Sequence, residues 1–473
     1  MNFEEEAFEL KIGLDNFIPA VNRKINDCYE NIKKLGKGGE HKVYQVRNKI
    51  NNKTYACKRL SKLNIDDLPK FQNEIEILMK TDHPNIIKLY EIFESKNSFY
   101  LILEECLGGN LFSRIAKRIE SNDLYSERDA CGIIQQVLQA IEYCHNNGIA
   151  HGDLKPENIL YLKEGNEENN PIKLVDFGLS LSLKSNKMLS NGFENRAFFS
   201  PEILSGKQDE KLDIWSSGVI LYILLSGEPP FNGPNEKVIF SKIKKLKYDF
   251  NDDRWKNISN DAKDLISKIL VPTNQRLSAS QALQHPWFNI IKDKEITFQK
   301  LNIGKNNYFK GYIESNRLKK IILFEIASKL EEDEIIDLKN LFMAFDKDNN
   351  GQIDLKEFEQ GLSEIKANDI IKEKLKKLFN DIDADKNGKI DYTEFIASTL
   401  EKKIYLRKAN LFEAFTAFDT SNNGKITKNE LMEILKVQPK QDKYITKLIS
   451  LADKNGDGDI DYKEFIEMMG YTD

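Results

Sequence analysis

The sequence predicts an α+β domain of two lobes, one rich in strands and one in helices, followed by an all-α domain built from two pairs of helix–loop–helix units. Three observations carry this. First, strand-like Tyr29 to Leu35 runs into the glycine turn Gly36, Lys37, Gly38, Gly39, and further strands are read at Tyr55 to Lys58 and Phe99 to Glu104. Second, a twelve-residue Asp/Asn/Gly loop begins at Asp346, Asp383, Asp419 and Asp453, at separations of 37, 36 and 34 residues. Third, charge is uneven in a chain of net charge −5: residues 331–473 carry 22 Lys and Arg against 31 Asp and Glu, while the first 330 residues balance at +4.

The repeated loops match the EF-hand pattern. Calcium is a hard cation taking six to eight oxygens, so such a loop offers side chains at positions 1, 3, 5, 9 and 12 and a carbonyl at 7. In that frame the candidate ligands are Asp346, Asp348, Asn350, Gln352, Asp354 and Glu357; Asp383, Asp385, Asn387, Lys389, Asp391 and Glu394; Asp419, Ser421, Asn423, Lys425, Thr427 and Glu430; and Asp453, Asn455, Asp457, Asp459, Asp461 and Glu464. Gly351, Gly388, Gly424 and Gly458 supply the sharp turn at position 6. Ile353, Ile390, Ile426 and Ile460 at position 8 are β-branched, which suits a short antiparallel pairing within each of two lobes. A surface turn explains one such loop; four at near-constant spacing are a repeat architecture. The third loop has only two carboxylates, Asp419 and Glu430, and is expected to bind calcium most weakly.

Upstream lies an ordered set of protein-kinase motifs, each weak alone and strong together. The glycine turn at Gly36 to Gly38, flanked by Leu35 and Val43, would close over ATP phosphates. Tyr55, Ala56, Cys57, Lys58 match the V-A-I-K strand, so Lys58 is the expected cation for the phosphates, with Glu74 in the amphipathic stretch Pro69 to Lys80 as its partner. Leu103 stands at the gatekeeper position, and main-chain groups of Glu104 and Cys106 are expected at the adenine edge. In His151, Gly152, Asp153, Leu154, Lys155, Pro156, Glu157, Asn158, the motif makes Asp153 the acceptor of the substrate hydroxyl proton, Lys155 the neutraliser of the moving phosphoryl group and Asn158 a Mg²⁺ ligand. Asp176, Phe177, Gly178 add a second Mg²⁺ ligand, Asp176. Ser200, Pro201, Glu202 stand for A-P-E with Arg276 placed to pair with Glu202; Asp213 opens an apolar helix, and His285, Pro286, Trp287, Phe288 close the lobe.

A kinase, a connecting helix and four EF-hands together resemble the calcium-dependent protein kinases of plants and protists. The resemblance implies a bilobal protein-kinase fold at residues 29–288 after an N-terminal extension at 1–28. It further implies a junction at 289–330 and a calmodulin-like domain of two EF-hand pairs at 331–473. The implied activity is calcium-activated transfer of the ATP γ-phosphate to protein Ser/Thr hydroxyls, with ATP, Mg²⁺ and Ca²⁺ as cofactors; the alternative is a calcium-responsive pseudokinase scaffold. The chain departs from the family in four places. Gly152 replaces Arg, Asn110 replaces the acidic residue of G-G-E, Glu194 and Asn195 replace Gly-Thr, and His41 replaces a glycine. Lys58, Asp153 and Asp176, whose loss marks pseudokinases, are all kept.

Phe309 to Leu330 reads as one basic helix, apolar nearly all round at Ile321 to Phe324, suited to being wrapped by the acidic module. It is expected to restrain the kinase without calcium and to be captured with calcium, the competing possibility being a module that braces the kinase from outside. The five cysteines lack metal-ligand spacing and read as reduced thiols, which points to a cytoplasmic protein. Neither a nucleic-acid partner nor an intrinsic membrane anchor is expected: Asn2 stands where myristoylation needs glycine, and the apolar run Gly218 to Leu225 is too short to span a bilayer.

Overall fold

The computed structural model describes residues 11–16, 20–21, 24–38, 41–62, 68–165, 170–182, 196–207, 209–294, 309–365 and 375–471. Gly39, Glu194 and Asn195 lie outside the described residues, as do the side chains of Lys37 and His41.

The small lobe is one sheet of β1 (Ala20–Val21), β2 (Tyr29–Gly38), β3 (His41–Asn48), β4 (Thr54–Ser61), β5 (Leu89–Glu94) and β6 (Ser98–Leu103), in the order β1-β5-β6-β4-β3-β2. All neighbours are antiparallel except the short β1 beside β5. On β4, Tyr55 and Cys57 point to an outer cluster with Tyr29, Tyr90 and Phe93, whereas Ala56 and Leu60 join the main kinase core. Alternation along the strand thus feeds two separate cores. The helix Leu68–Leu78 covers the inner face through Phe71, Ile77 and Leu78.

In the large lobe the helix Lys211–Ser226 is buried on every side, as its mostly apolar sequence demands, and packs on the helices Glu127–Asn146 and Asn260–Ile269. No helix among the described residues is long and apolar enough to cross a membrane.

The calcium loops pair as their isoleucines anticipate: Ile353 and Ile390 exchange both backbone hydrogen bonds at 2.9 Å, and Ile426 faces Ile460. The connector corrects the expected single helix. It forms two pieces, Lys310–Ile313 and Arg317–Lys329. Asn316 is extended and its side chain accepts from the Lys319 amide at 2.8 Å, so this residue starts a new helix rather than continuing the old one. Leu318, Ile321, Ile322, Leu323, Phe324, Ile326 and Ala327 are all buried in one core with both EF-hand pairs. The helix packs on Tyr392–Thr399 of the first pair and on Lys408–Phe418 and Asp442–Ile449 of the second. Phe309 stacks edge-on against Phe345, Phe358 and Phe395, and Ile12 joins the same core, its amide donating to the Ala384 carbonyl at 2.9 Å.

The module docks on the kinase through polar contacts. Asp82 accepts from Thr393, Gln139 Nε2 donates to Asn349 Oδ1 at 2.8 Å, and Lys53 and Arg407 both hold Glu334, at 2.9 and 2.6 Å. Lys329 Nζ donates to the Tyr90 carbonyl at 3.1 Å, tying the connector to the outer cluster of the small lobe. At Gly351 the chain turns with φ +79°, and a Cβ there would lie 2.3 Å from His83 Cδ2. Glycine at this loop position therefore serves both the calcium turn and the close approach to the kinase.

Candidate active site and calcium loops

Antiparallel pairing sets Lys58 on β4 opposite Val43 and Leu101. Its Nζ donates to both Glu74 carboxylate oxygens at 2.7 Å and lies 3.7 Å from Asp176 Oδ1. Burial pushes the Lys58 ammonium down, but the Glu74 and Asp176 carboxylates outweigh it and hold it above the usual lysine value. Asp176 adopts left-handed φ +68°, a strained conformation for a non-glycine residue. It is held there because Phe177 is fully buried against His151, with ring centroids 4.7 Å apart, and because Asn73 Nδ2 donates to the Phe177 and Ser180 carbonyls at 3.1 and 2.9 Å.

The catalytic loop is fixed from below by Asp213, which accepts from the His151 and Gly152 amides at 2.8 and 2.9 Å and lies 3.0 Å from His145 Nε2. Gly152 has φ +81°, and a Cβ there would sit 2.6 Å from the Leu179 carbonyl oxygen. Lys155 Nζ donates to Asp153 Oδ2 at 2.7 Å, and Asn158 Nδ2 donates to the Asp153 carbonyl at 2.8 Å and to Oδ2 at 3.2 Å. The predicted residues are thus brought together as two sets, Lys58 with Glu74 and Asp176, and Asp153 with Lys155 and Asn158. Arg276, buried, forms a two-pronged ion pair with Glu202.

At the hinge, Leu103 pairs with Ala56, and the Glu104 amide is taken by the Lys88 carbonyl at 2.9 Å. The Glu104 amide is therefore already engaged, so that only its carbonyl and the main chain of Cys106 would be left for a ligand. Leu35, in the C-terminal half of β2, is exposed. Asn110 caps the helix Leu111–Glu120 by accepting from the Ser113 amide at 2.8 Å, so its side chain has a structural task.

In the first loop the Asn350 and Gly351 amides donate to Asp346 at 3.0 and 2.9 Å, and the Lys347 amide donates to Glu357 at 2.9 Å. Asp346, Asp348 and Glu357 bring one oxygen each within 4.8 Å of one another, as do Asp383, Asp385 and Glu394 in the second loop. Burial, with Glu357 and Asp348 nearby, pushes Asp346 well above the usual carboxylate range; burial with Asp391 and Asp385 does the same to Glu394. Such crowding of hard oxygen donors fits a divalent cation that would neutralise it. Asp354 and Asp391 also begin the exiting helices in capping boxes with Glu357 and Glu394. The position-7 side chains reach across the pair: Lys389 donates to Gln352 at 2.7 Å, and Gln352 in turn to Asp391 at 2.7 Å. In the third loop Asn423 and Gly424 amides donate to Asp419, and Ser421 and Thr427 amides to Glu430. In the fourth, Gly456 and Gly458 amides donate to Asp453, Asn455 accepts from Asp457, Asp459 donates to Asp457, and Asp461 caps toward Glu464. Lys425 of the third loop pairs with Asp457 of the fourth at 2.7 Å.

Sequence reading missed Asp82, Asn73, Lys173 and the anchoring role of Asp213. Only Asp213 carried a signal, as the single carboxylate in an otherwise apolar helix.

Comparison with known proteins agrees with this arrangement. The protein kinase domain family matches residues 29–288, and the EF-hand domain pair matches 335–400 and 408–470. Calcium-dependent protein kinase 5 of Plasmodium falciparum is 40% identical over 455 residues, covering 95% of this chain and 79% of its own. Calcium-dependent protein kinase 29 of Arabidopsis thaliana is 39% identical over 466 residues, covering 96% and 85%. The chain belongs to the calcium-dependent protein kinase family, a bilobal kinase fold joined to an all-helical EF-hand region.

Proposed function

We infer that the chain transfers the γ-phosphate of ATP to Ser or Thr hydroxyls of protein substrates in the cytoplasm, under the control of calcium bound to its own four loops. The observation that carries this reading is Lys58 shared between Glu74 at 2.7 Å and Asp176 at 3.7 Å, the arrangement phosphoryl transfer requires. The pseudokinase alternative has no support: every charged catalytic part is present and engaged.

Leu35, Val43, Ala56 and Leu103 would enclose the adenine, with the Glu104 carbonyl and Cys106 amide at its edge, while the Gly36–Lys37–Gly38 backbone covers the phosphates. Lys58, oriented by Glu74, holds the phosphate oxygens. Asp153 accepts the substrate hydroxyl proton at a carboxylate oxygen, and Asn158 fixes that carboxylate through its backbone and side chain. Lys155 places a cation where charge develops on the moving phosphoryl group. Asp176 and Asn158 would hold Mg²⁺, which when bound neutralises charge on the β- and γ-phosphates.

The junction helix Arg317–Lys329 is the intramolecular partner of the EF-hand module. Its burial among helices of both pairs, while the module contacts the small lobe and hinge, supports capture of the helix combined with external bracing of the kinase. Asp153→Asn tests the catalytic reading. Turnover on a Ser/Thr peptide should fall by at least ~10²-fold with ATP binding kept; near-normal turnover would contradict it.

A further inference from the structure

A row of alternating buried charges runs from the hinge to the calcium module. Lys173, on the short strand Ile172–Leu174 just ahead of Asp176, lies 3.0 Å from Glu104 Oε2 and donates to Glu332 Oε1 at 2.8 Å. The other Glu332 oxygen accepts from Lys339 Nζ at 2.5 Å. Lys339 belongs to the helix Ile336–Phe345, which leads straight into the first calcium loop at Asp346. The four side chains, Glu104, Lys173, Glu332 and Lys339, are between 4% and 11% exposed. Glu332 lies beyond the kinase domain in sequence and reaches the hinge only because the module is docked.

Losing a member of a buried ion row is costly for any neighbour left without a second partner, because that neighbour stays charged in a poorly solvating environment. With Glu332 in place, Lys173 is held from both sides and fixes the side chain of Glu104. The Glu104 amide is tied to the Lys88 carbonyl, so the residue is constrained at its amide and at its side chain, which narrows the directions its carbonyl can take. We propose that Glu332 is a positioning residue for the nucleotide: delivered by the docked calcium module, it acts through Lys173 on Glu104 to orient the carbonyl at the adenine edge. This rests on the reading that Glu104 and Cys106 receive the adenine. Calcium would then act on ATP affinity as well as on docking, with reciprocal linkage between the two ligands.

The test uses the full-length chain, with MgATP binding measured by calorimetry in calcium and in EGTA, and KM for ATP and kcat measured at saturating peptide. Native protein should bind MgATP at least about fivefold more tightly in calcium, the lower end of ordinary coupling between sites. Glu332→Gln should lose that gain, raising KM for ATP while leaving kcat within about twofold, the pattern of lost ground-state binding. Lys173→Met should lose the same amount, and the double variant no more than either single change, because both break one path. Lys339→Met, on the far side of Glu332 from the hinge, should keep nucleotide affinity within about twofold. Two results would overturn the proposal: native affinity in Glu332→Gln, or an equal loss in Glu332→Gln and Lys339→Met, which would mean that docking alone matters. Absence of phosphotransfer in the native chain would instead remove the kinase reading, and nucleotide binding is measured independently of it.

Discussion

Asp82 of the kinase small lobe accepts both the backbone amide of Thr393 at 2.7 Å and its hydroxyl at 2.9 Å. Thr393 stands in the first turn of the helix Tyr392–Thr399, between the calcium-loop carboxylates Asp391 and Glu394. The kinase thus supplies an anion where helix amides lack partners, within a residue or two of the groups that hold calcium. Docking and calcium binding therefore meet on adjacent residues of one helix turn, Thr393 for the first and Asp391 and Glu394 for the second, and are linked through it.

Asp82→Ala should therefore raise the calcium concentration needed for half-maximal activity. A hydrogen bond to a charged group contributes about 1.5–3 kcal/mol, which corresponds to about tenfold or more in the docking equilibrium. A calcium titration of peptide phosphorylation checks this; an unchanged midpoint would refute the linkage.

Gly152 offers no cation to pair with a phosphorylated activation-loop residue. Its positive φ and the nearby Leu179 carbonyl also make room for a side chain scarce. Phosphatase-treated protein should respond to calcium as fully as untreated protein, measured by turnover. A strict need for phosphate between Ser180 and Ser200 would contradict this.

The third loop should fill last. Asp419 and Glu430 are its only ligand carboxylates, against four in each other loop. Calorimetry on single Glu-to-Gln variants at Glu357, Glu394, Glu430 and Glu464 should show the smallest loss of high-affinity binding for Glu430→Gln.

Much of this was legible from sequence because motif chemistry is local. The spacing of Asp153, Lys155 and Asn158 is dictated by one tight loop, and the calcium ligands by one twelve-residue turn. The isoleucines at position 8 pair as their β-branching suggests. The break at Asn316 was missed because the apolar pattern continues through it, and only the cap geometry reveals a second start. Asp82, Lys173 and Glu332 were invisible for a different reason. Each is an ordinary charged residue on its own segment, and its burial arises from a surface more than 150 residues away in the chain, as for Lys173 and Glu332.

Glu325 gives a pH prediction. It is 1% exposed on the connector helix, and burial, only partly offset by Lys329 and reinforced by Glu413 and Glu91, pushes its carboxyl up from 4.5 to about 7. A carboxyl raised on folding adds stability that is full below its unfolded value and is lost as pH rises through the folded one. The native chain should lose up to roughly 3 kcal/mol between about pH 4.5 and 7 from this group. Glu325→Gln should raise Tm at pH 8 and change it little at pH 5, as followed by thermal melting.

The central claim is that the docked module braces an active kinase as well as capturing the junction helix. The direct measurement compares the full chain with one ending at Ile291, each assayed for peptide phosphorylation in calcium and in EGTA, with folding and MgATP binding confirmed for both. Bracing predicts that the shortened chain is folded and binds MgATP, yet falls well below the calcium-loaded full chain in turnover under both conditions. Calcium-independent turnover in the shortened chain equal to that of the calcium-loaded full chain would contradict bracing and leave simple restraint by the connector as the mechanism.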